Sequence, residues 1–107
     1  MDEIAEKVNQ SVMNYLQDVS RRVKINKAFL YGSYATGNYD EQSDVDVAIF
    51  SENFNNQSSV EINAFLFSIA RKYKDICIEP IGFNESDIKA DNPFVKEILR
   101  TGKEIIA

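Results

Sequence analysis

Residues 44–50 read Asp-Val-Asp-Val-Ala-Ile-Phe, and no other stretch constrains the fold as much. Val45, Val47 and Ile49 alternate with Asp44, Asp46, Ala48 and Phe50. That is the period of a β-strand, so the two aspartates share one face. A strand needs neighbours, and three further segments qualify. Residues 25–31 are short, apolar and aromatic and end at Gly32, as a buried strand would. Residues 75–83 form another candidate, in which Pro80 signals an edge strand or a bulge. Residues 103–106 are long enough only for a short edge strand.

Helical patterns separate these strands. Ile4, Val8, Val12, Leu16, Val19 and Val23 recur at three- and four-residue steps, predicting an amphipathic helix over residues 2–23. Residues 32–36 can open a short helix, with Gly37 and Asn38 supplying turn chemistry. Residues 51–57 are polar and loop-like. Ser58 and Glu61 then form a capping box for a second long helix, whose inner face is Ile62, Phe65, Leu66, Ile69 and Tyr73. Asn92 reads as an N-cap, Pro93 as the first helical residue and Gly102 as the stop. That last helix is expected to bury Phe94, Val95, Ile98 and Leu99. Interleaved helices and strands imply a small mixed sheet of three to four strands with helices packed on one side. The class is α/β or α+β. With no repeat, low-complexity tract or linker, residues 1–107 read as a single domain.

Composition narrows the function. At 107 residues and 44% apolar, the chain can build a core and is not expected to be disordered. The apolar runs are too short for a membrane span. The formal charge of −5 is the reverse of the basic surface a nucleic-acid binder presents. The absence of histidine removes histidine-based triads and metal sites, leaving oxygen ligands and hard divalent ions. A single cysteine, Cys77, and an acidic N-terminus without a secretory pattern point to a reducing cytoplasm.

The chemistry concentrates in Phe29-Leu30-Tyr31-Gly32-Ser33-Tyr34-Ala35-Thr36-Gly37 and in Ser43-Asp44-Val45-Asp46. A strand that ends in Gly-Ser and runs into a helical turn offers backbone N–H groups and a hydroxyl to a phosphate. Asp44 and Asp46, two apart on a strand, lie with Cα atoms about 6.6 Å apart at about 3.3 Å per residue. Such a pair can share divalent ions about 3.5–4 Å from each other. Together these elements suit in-line attack on a nucleoside triphosphate.

The pattern Gly32-Ser33-x3-Gly37 followed by Ser43-Asp44-x-Asp46 resembles the signature of the DNA polymerase beta nucleotidyltransferase superfamily, in particular its minimal nucleotidyltransferase (MNT) domain proteins. Ile78-Glu79-Pro80-Ile81 and the segment from Asn92 to Gly102 are similar to that family as well. The resemblance implies that Gly32 and Ser33 hold the triphosphate of ATP or another NTP, and that Asp44, Asp46 and Glu79 hold Mg²⁺, two ions in all. It also implies that Glu79 serves as the base for the acceptor hydroxyl. Asp75 shares strand parity with Glu79 and competes for the third position. Many members carry Arg directly after the Gly-Ser pair, where this chain has Tyr34.

The resemblance implies a Mg²⁺-dependent enzyme that moves a nucleoside monophosphate, AMP from ATP, onto a hydroxyl acceptor. With nothing beyond the core to grip a large substrate, the acceptor is expected on a partner protein. In the family that partner is a helical HEPN-type protein, and the two form a toxin–antitoxin pair. The alternative is a non-catalytic antitoxin with a vestigial NTP pocket. An exposed apolar patch is expected to serve either the partner or self-association. Other residues receive plainer readings: Cys77 as a small buried filler, Asp40 and Glu41 as a solvated loop, and Lys96 and Arg100 as surface charges.

Overall fold

The computed structural model describes residues 3–39, 43–89 and 91–105, with side chains from Glu6 onward. The expectations for Ile4, Asp40, Glu41 and Ile106 lie outside what is described. Helix α1 spans Glu3–Ser20 and is followed by β1 (Lys27–Tyr31), a one-turn α2 (Ser33–Thr36) and β2 (Val45–Ser51). Helix α3 (Ser59–Ala70), β3 (Ile78–Asn84), α4 (Pro93–Thr101) and β4 (Lys103–Ile105) complete the chain. Single 3-10 turns at Glu52–Phe54 and Glu85–Ile88 follow β2 and β3. The first of them orders the stretch expected as a loop, because the Ser51 hydroxyl accepts from the Asn53 N–H.

The four strands form one mixed sheet in the order β3-β2-β1-β4. Strand β1 runs antiparallel to both β2 and β4, whereas β2 and β3 are parallel. The parallel step is made by α3, which crosses back over the sheet as such connections require. Its start is the expected capping box: Ser58 Oγ accepts from the Glu61 N–H at 3.1 Å, and Glu61 reaches back to the Ser58 N–H. Helix α1 stops at Ser20, three residues before the predicted end. There the Ser20 hydroxyl bonds to the Gln17 carbonyl at 2.7 Å and competes with the helical ladder.

Helices cover both faces of the sheet, not one. On one face Val8, Val12, Leu16 and Val19 of α1 and Ile62, Leu66 and Ile69 of α3 pack on Leu30, Val45, Val47 and Ile49. The Tyr15 hydroxyl ties these two helices by donating to the Leu66 carbonyl at 2.9 Å. On the other face Val95 and Ile98 of α4 pack on Phe29, Ala48 and Phe50, with Ile81 and Phe83 alongside. Val95 and Ile98 are buried as expected, but Phe94 stays 45% exposed. It stands at the start of α4, where its ring meets Tyr31 edge-on at 5.8 Å and Phe83 at 6.0 Å. Among the described residues the exposed large apolar side chains are Phe94 and Val60, the latter 78% exposed. They belong to α4 and α3, over opposite sheet faces, so they make no common patch.

Strand β3 is an edge strand, as Pro80 foretells. Pro80 has no N–H. The Gly82 N–H donates to Asn63 Oδ1 at 3.0 Å, and the Asn84 N–H donates to Asp87 Oδ2 at 3.1 Å.

Candidate active site

The site lies where β1 ends and where β2 and β3 begin. Strand pairing places Tyr31 opposite Asp46 on one side and Glu79 opposite Asp46 on the other. Cross-strand neighbours project to the same face, so Tyr31, Asp46 and Glu79 form a row across three strands. Asp44 precedes β2 by one residue. A further backbone bond, from the Val45 N–H to the Cys77 carbonyl at 2.8 Å, carries the parallel pairing one step past the strand ends. Asp44 and Cys77 are thereby brought together with Glu79, and their donor atoms all lie within 4.8 Å of one another. The Cys77 thiol is 4.0 Å from Glu79 Oε1.

Three carboxylates in so small a space repel. Asp46 is half-buried, and burial first, then the charges of Asp44 and Glu79, raise its proton affinity above the ordinary value. Tyr31 is pushed up to about 12, chiefly by burial and then by Asp46 and Glu79. The Cys77 thiol is also raised, first through its hydrogen bond with Asp44 and then through burial and the neighbouring carboxylates. A divalent cation answers this repulsion, and oxygen donors on two adjacent strands suit a hard one.

Gly32 closes the site on the β1 side. Its φ of 73° and ψ of −146° belong to a region that only glycine adopts readily. A Cβ there would also fall 2.4 Å from Asp46 Oδ2. Backbone and carboxylate therefore touch directly. Ser33 is the first residue of α2, and Gly37, left-handed at φ 88°, ends that turn with its N–H on the Ser33 carbonyl.

The structure thus brings Gly32, Ser33, Asp44, Asp46 and Glu79 together. Asp75 is exposed in the turn before β3, three residues short of the strand, and is not in the converging group. Tyr34 is buried, 6% exposed, and stacks on Tyr39 at 4.4 Å. It belongs to the core cluster beneath α1 and α3. Cys77 corrects its sequence reading, for it is exposed at the site and not a buried filler. Its parity with Glu79 was the available signal. Tyr31, which the sequence reading also passed over, could have been found from its position directly before Gly32.

Comparison with known proteins identifies the family. Residues 10–107 match the family described as Polymerase beta, Nucleotidyltransferase. The chain belongs to that family. Family membership gives the reaction class, nucleotidyl transfer. A Methanocaldococcus jannaschii protein named as a protein adenylyltransferase is 32% identical over 106 residues, covering 96% of each chain. A crystal structure from Sulfolobus solfataricus, named as a nucleotidyltransferase, superposes with a TM-score of 0.68 at 13% identity. That likeness covers 96% of this chain and 81% of the other. A toxin–antitoxin structure solved with AMP-PNP gives a TM-score of 0.56 at 19% identity, covering 90% of this chain and 70% of that one. The first of these likenesses supports the nucleotidyltransferase fold, and the second shows a shared fold. Among the described residues no helix is long and apolar enough to cross a membrane.

Proposed function

We propose that residues 1–107 act as one catalytic domain that transfers AMP from ATP to a hydroxyl on a partner protein, in the cytoplasm and within a toxin–antitoxin pair. The observation that carries this reading is the convergence of Asp44, Asp46 and Glu79 beside Gly32 and Ser33. The names of two similar proteins support the finer parts: one is named as a protein adenylyltransferase, the other as a toxin–antitoxin solved with an ATP analogue.

In this reading Asp44, Asp46 and Glu79 hold Mg²⁺, two ions in all. Bound there, Mg²⁺ neutralises developing phosphate charge and aligns the reacting oxygens. Gly32 lets the backbone reach the triphosphate without a side chain in the way, and the Ser33 hydroxyl donates to it. Glu79 accepts the proton of the attacking hydroxyl. The acceptor sits on a helical partner of the HEPN type, as the resemblance to the minimal nucleotidyltransferase proteins implies, and the similarity to a toxin–antitoxin structure supports a protein partner.

The test is incubation with labelled ATP, Mg²⁺ and the product of the adjacent gene. Label on that protein, lost in an Asp44→Asn/Asp46→Asn double variant, is the expected outcome. Absence of transfer to any co-purifying protein, with the double variant still neutralising the partner, would sink it. The family resemblance implies an Arg in many members at the position where this chain buries Tyr34, and the loss of that possible phosphate cation favours a second reading. In it the chain is a non-catalytic antitoxin that keeps a vestigial NTP pocket.

A further inference from the structure

The mouth of the site carries, beside two of the carboxylates, a thiol that a magnesium centre does not need. Asp44 approaches on the segment leading into β2, and Cys77 and Glu79 on the segment leading into β3. The bond between the Val45 N–H and the Cys77 carbonyl fixes these two segments side by side. One carboxylate oxygen from each acid and the Cys77 sulfur all lie within 4.8 Å of one another. Ligands on one tetrahedral ion stand about 3.5 Å apart, from metal–oxygen and metal–sulfur bonds of roughly 2.0–2.3 Å. Asp44 and Cys77 are exposed and Glu79 is half-buried, so their side chains have room to turn toward a common ion.

Two oxygens and a sulfur form a mixed set. Mg²⁺ draws on the oxygens and gains nothing from a thiol, whereas Zn²⁺ and Cd²⁺ bind thiolate and carboxylate together. We propose that Cys77 turns this centre into a zinc site. A thiophilic divalent cation is held by Asp44, Cys77 and Glu79, and it locks the carboxylates away from magnesium. On binding, the Cys77 S–H proton passes to solvent as the sulfur–metal bond forms, with no change of oxidation state. The inhibitory consequence rests on the nucleotidyl-transfer reading of the same carboxylates; the zinc site itself does not.

The experiment is calorimetric titration of the whole chain with Cd²⁺ and separately with Mg²⁺-ATP. It is run on the wild type, Cys77→Ser, Asp44→Asn and Glu79→Gln, with circular dichroism to confirm folding. A Co²⁺ titration adds the near-ultraviolet sulfur-to-metal charge-transfer band as a second readout. Cys77→Ser is expected to abolish that band and to lower the ratio of Cd²⁺ to Mg²⁺ affinity at least about tenfold, the scale of losing one metal-site partner. Asp44→Asn and Glu79→Gln are expected to keep the thiol and still weaken Cd²⁺. Cd²⁺ affinity unchanged by Cys77→Ser overturns the site. So does Cd²⁺ binding that needs Cys77 and ignores both carboxylates, since that is the behaviour of a lone thiol. If Mg²⁺-ATP binds the wild type while Cd²⁺ ignores Cys77, only the zinc inference fails. If Cd²⁺ follows all three residues while Mg²⁺-ATP does not bind, the nucleotidyl-transfer reading fails and the zinc site stands.

Discussion

Gly32 and Asp46 compete for the same few ångströms: a methyl group added to Gly32 would fall 2.4 Å from an Asp46 carboxylate oxygen. The turn proposed to face the phosphates and the carboxylate proposed to face the metal are therefore built against each other. Gly32→Ala is expected to strain a left-handed backbone and to displace Asp46 in one stroke. A stability loss of about 1–3 kcal/mol follows from the backbone alone. Chemical denaturation should show that loss, and calorimetry should show Mg²⁺-ATP affinity falling with it. An alanine variant that binds the nucleotide normally would mean that the contact has no functional weight.

Asp46 links the site to pH. Its folded-state proton affinity is raised, first by burial and then by Asp44 and Glu79. For a raised acid, the stabilising contribution is complete below the ordinary value of 3.8 and disappears as pH climbs through the raised one. In chelator at neutral pH, Asp46→Asn should accordingly be more stable than the wild type, with the advantage shrinking as the solution is acidified. Thermal melts across the acid range test this. A stability difference that grows on acidification contradicts the sign.

The role proposed for Glu79 separates chemistry from binding. Glu79→Gln keeps the size of the side chain and removes its charge, so the fold should persist. Loss of a general base lowers turnover by about 10²–10⁴-fold, with a far smaller effect on nucleotide affinity. Asp75→Asn, changed in the turn outside the converging group, should transfer at the wild-type rate. Label-transfer kinetics of the two variants decide between them, and the reverse pattern would move the base to Asp75.

Tyr15 carries the joint between α1 and α3. Its hydroxyl donates to the Leu66 carbonyl, and burial, with Tyr73 adding to it, drives its pKa well above the ordinary value of 10. Tyr15→Phe should cost about 0.5–1.5 kcal/mol at neutral pH, the net value of one hydrogen bond. A tyrosine with a raised pKa gives full stability below 10 and loses it as pH rises further. The variant should consequently lose less stability than the wild type under alkaline conditions. Denaturation curves at neutral and alkaline pH give both numbers, and a steeper alkaline loss in the variant would refute the assignment.

The order of elements and the acidic row were legible in the sequence for a physical reason. Period-two alternation sets Asp44 and Asp46 on one face whatever the neighbours are, and Pro80 excludes β3 from the middle of a sheet. The position of α4 was not legible. The spacing of Val95 and Ile98 says which side of the helix is buried but not which side of the sheet it covers. Phe94 follows from the same gap, since a residue in the first helical turn can overhang the sheet end and meet Tyr31 while remaining exposed. Cys77 was misread because its parity was visible while the point where β3 begins was not. One residue before the strand, a side chain that would be covered within the sheet stands open.

The outer rim of β3 bears on how this protein can meet others. Successive outward donors along it are removed or already used: Pro80 has none, Gly82 spends its N–H on Asn63, and Asn84 spends its own on Asp87. An exposed strand normally invites a foreign strand to extend it, which underlies both peptide capture and fibrillar aggregation. Here that invitation is withdrawn over three alternate positions. An added strand finds none of these three donors, so a protein docking there is gripped more by side chains than by a shared backbone ladder.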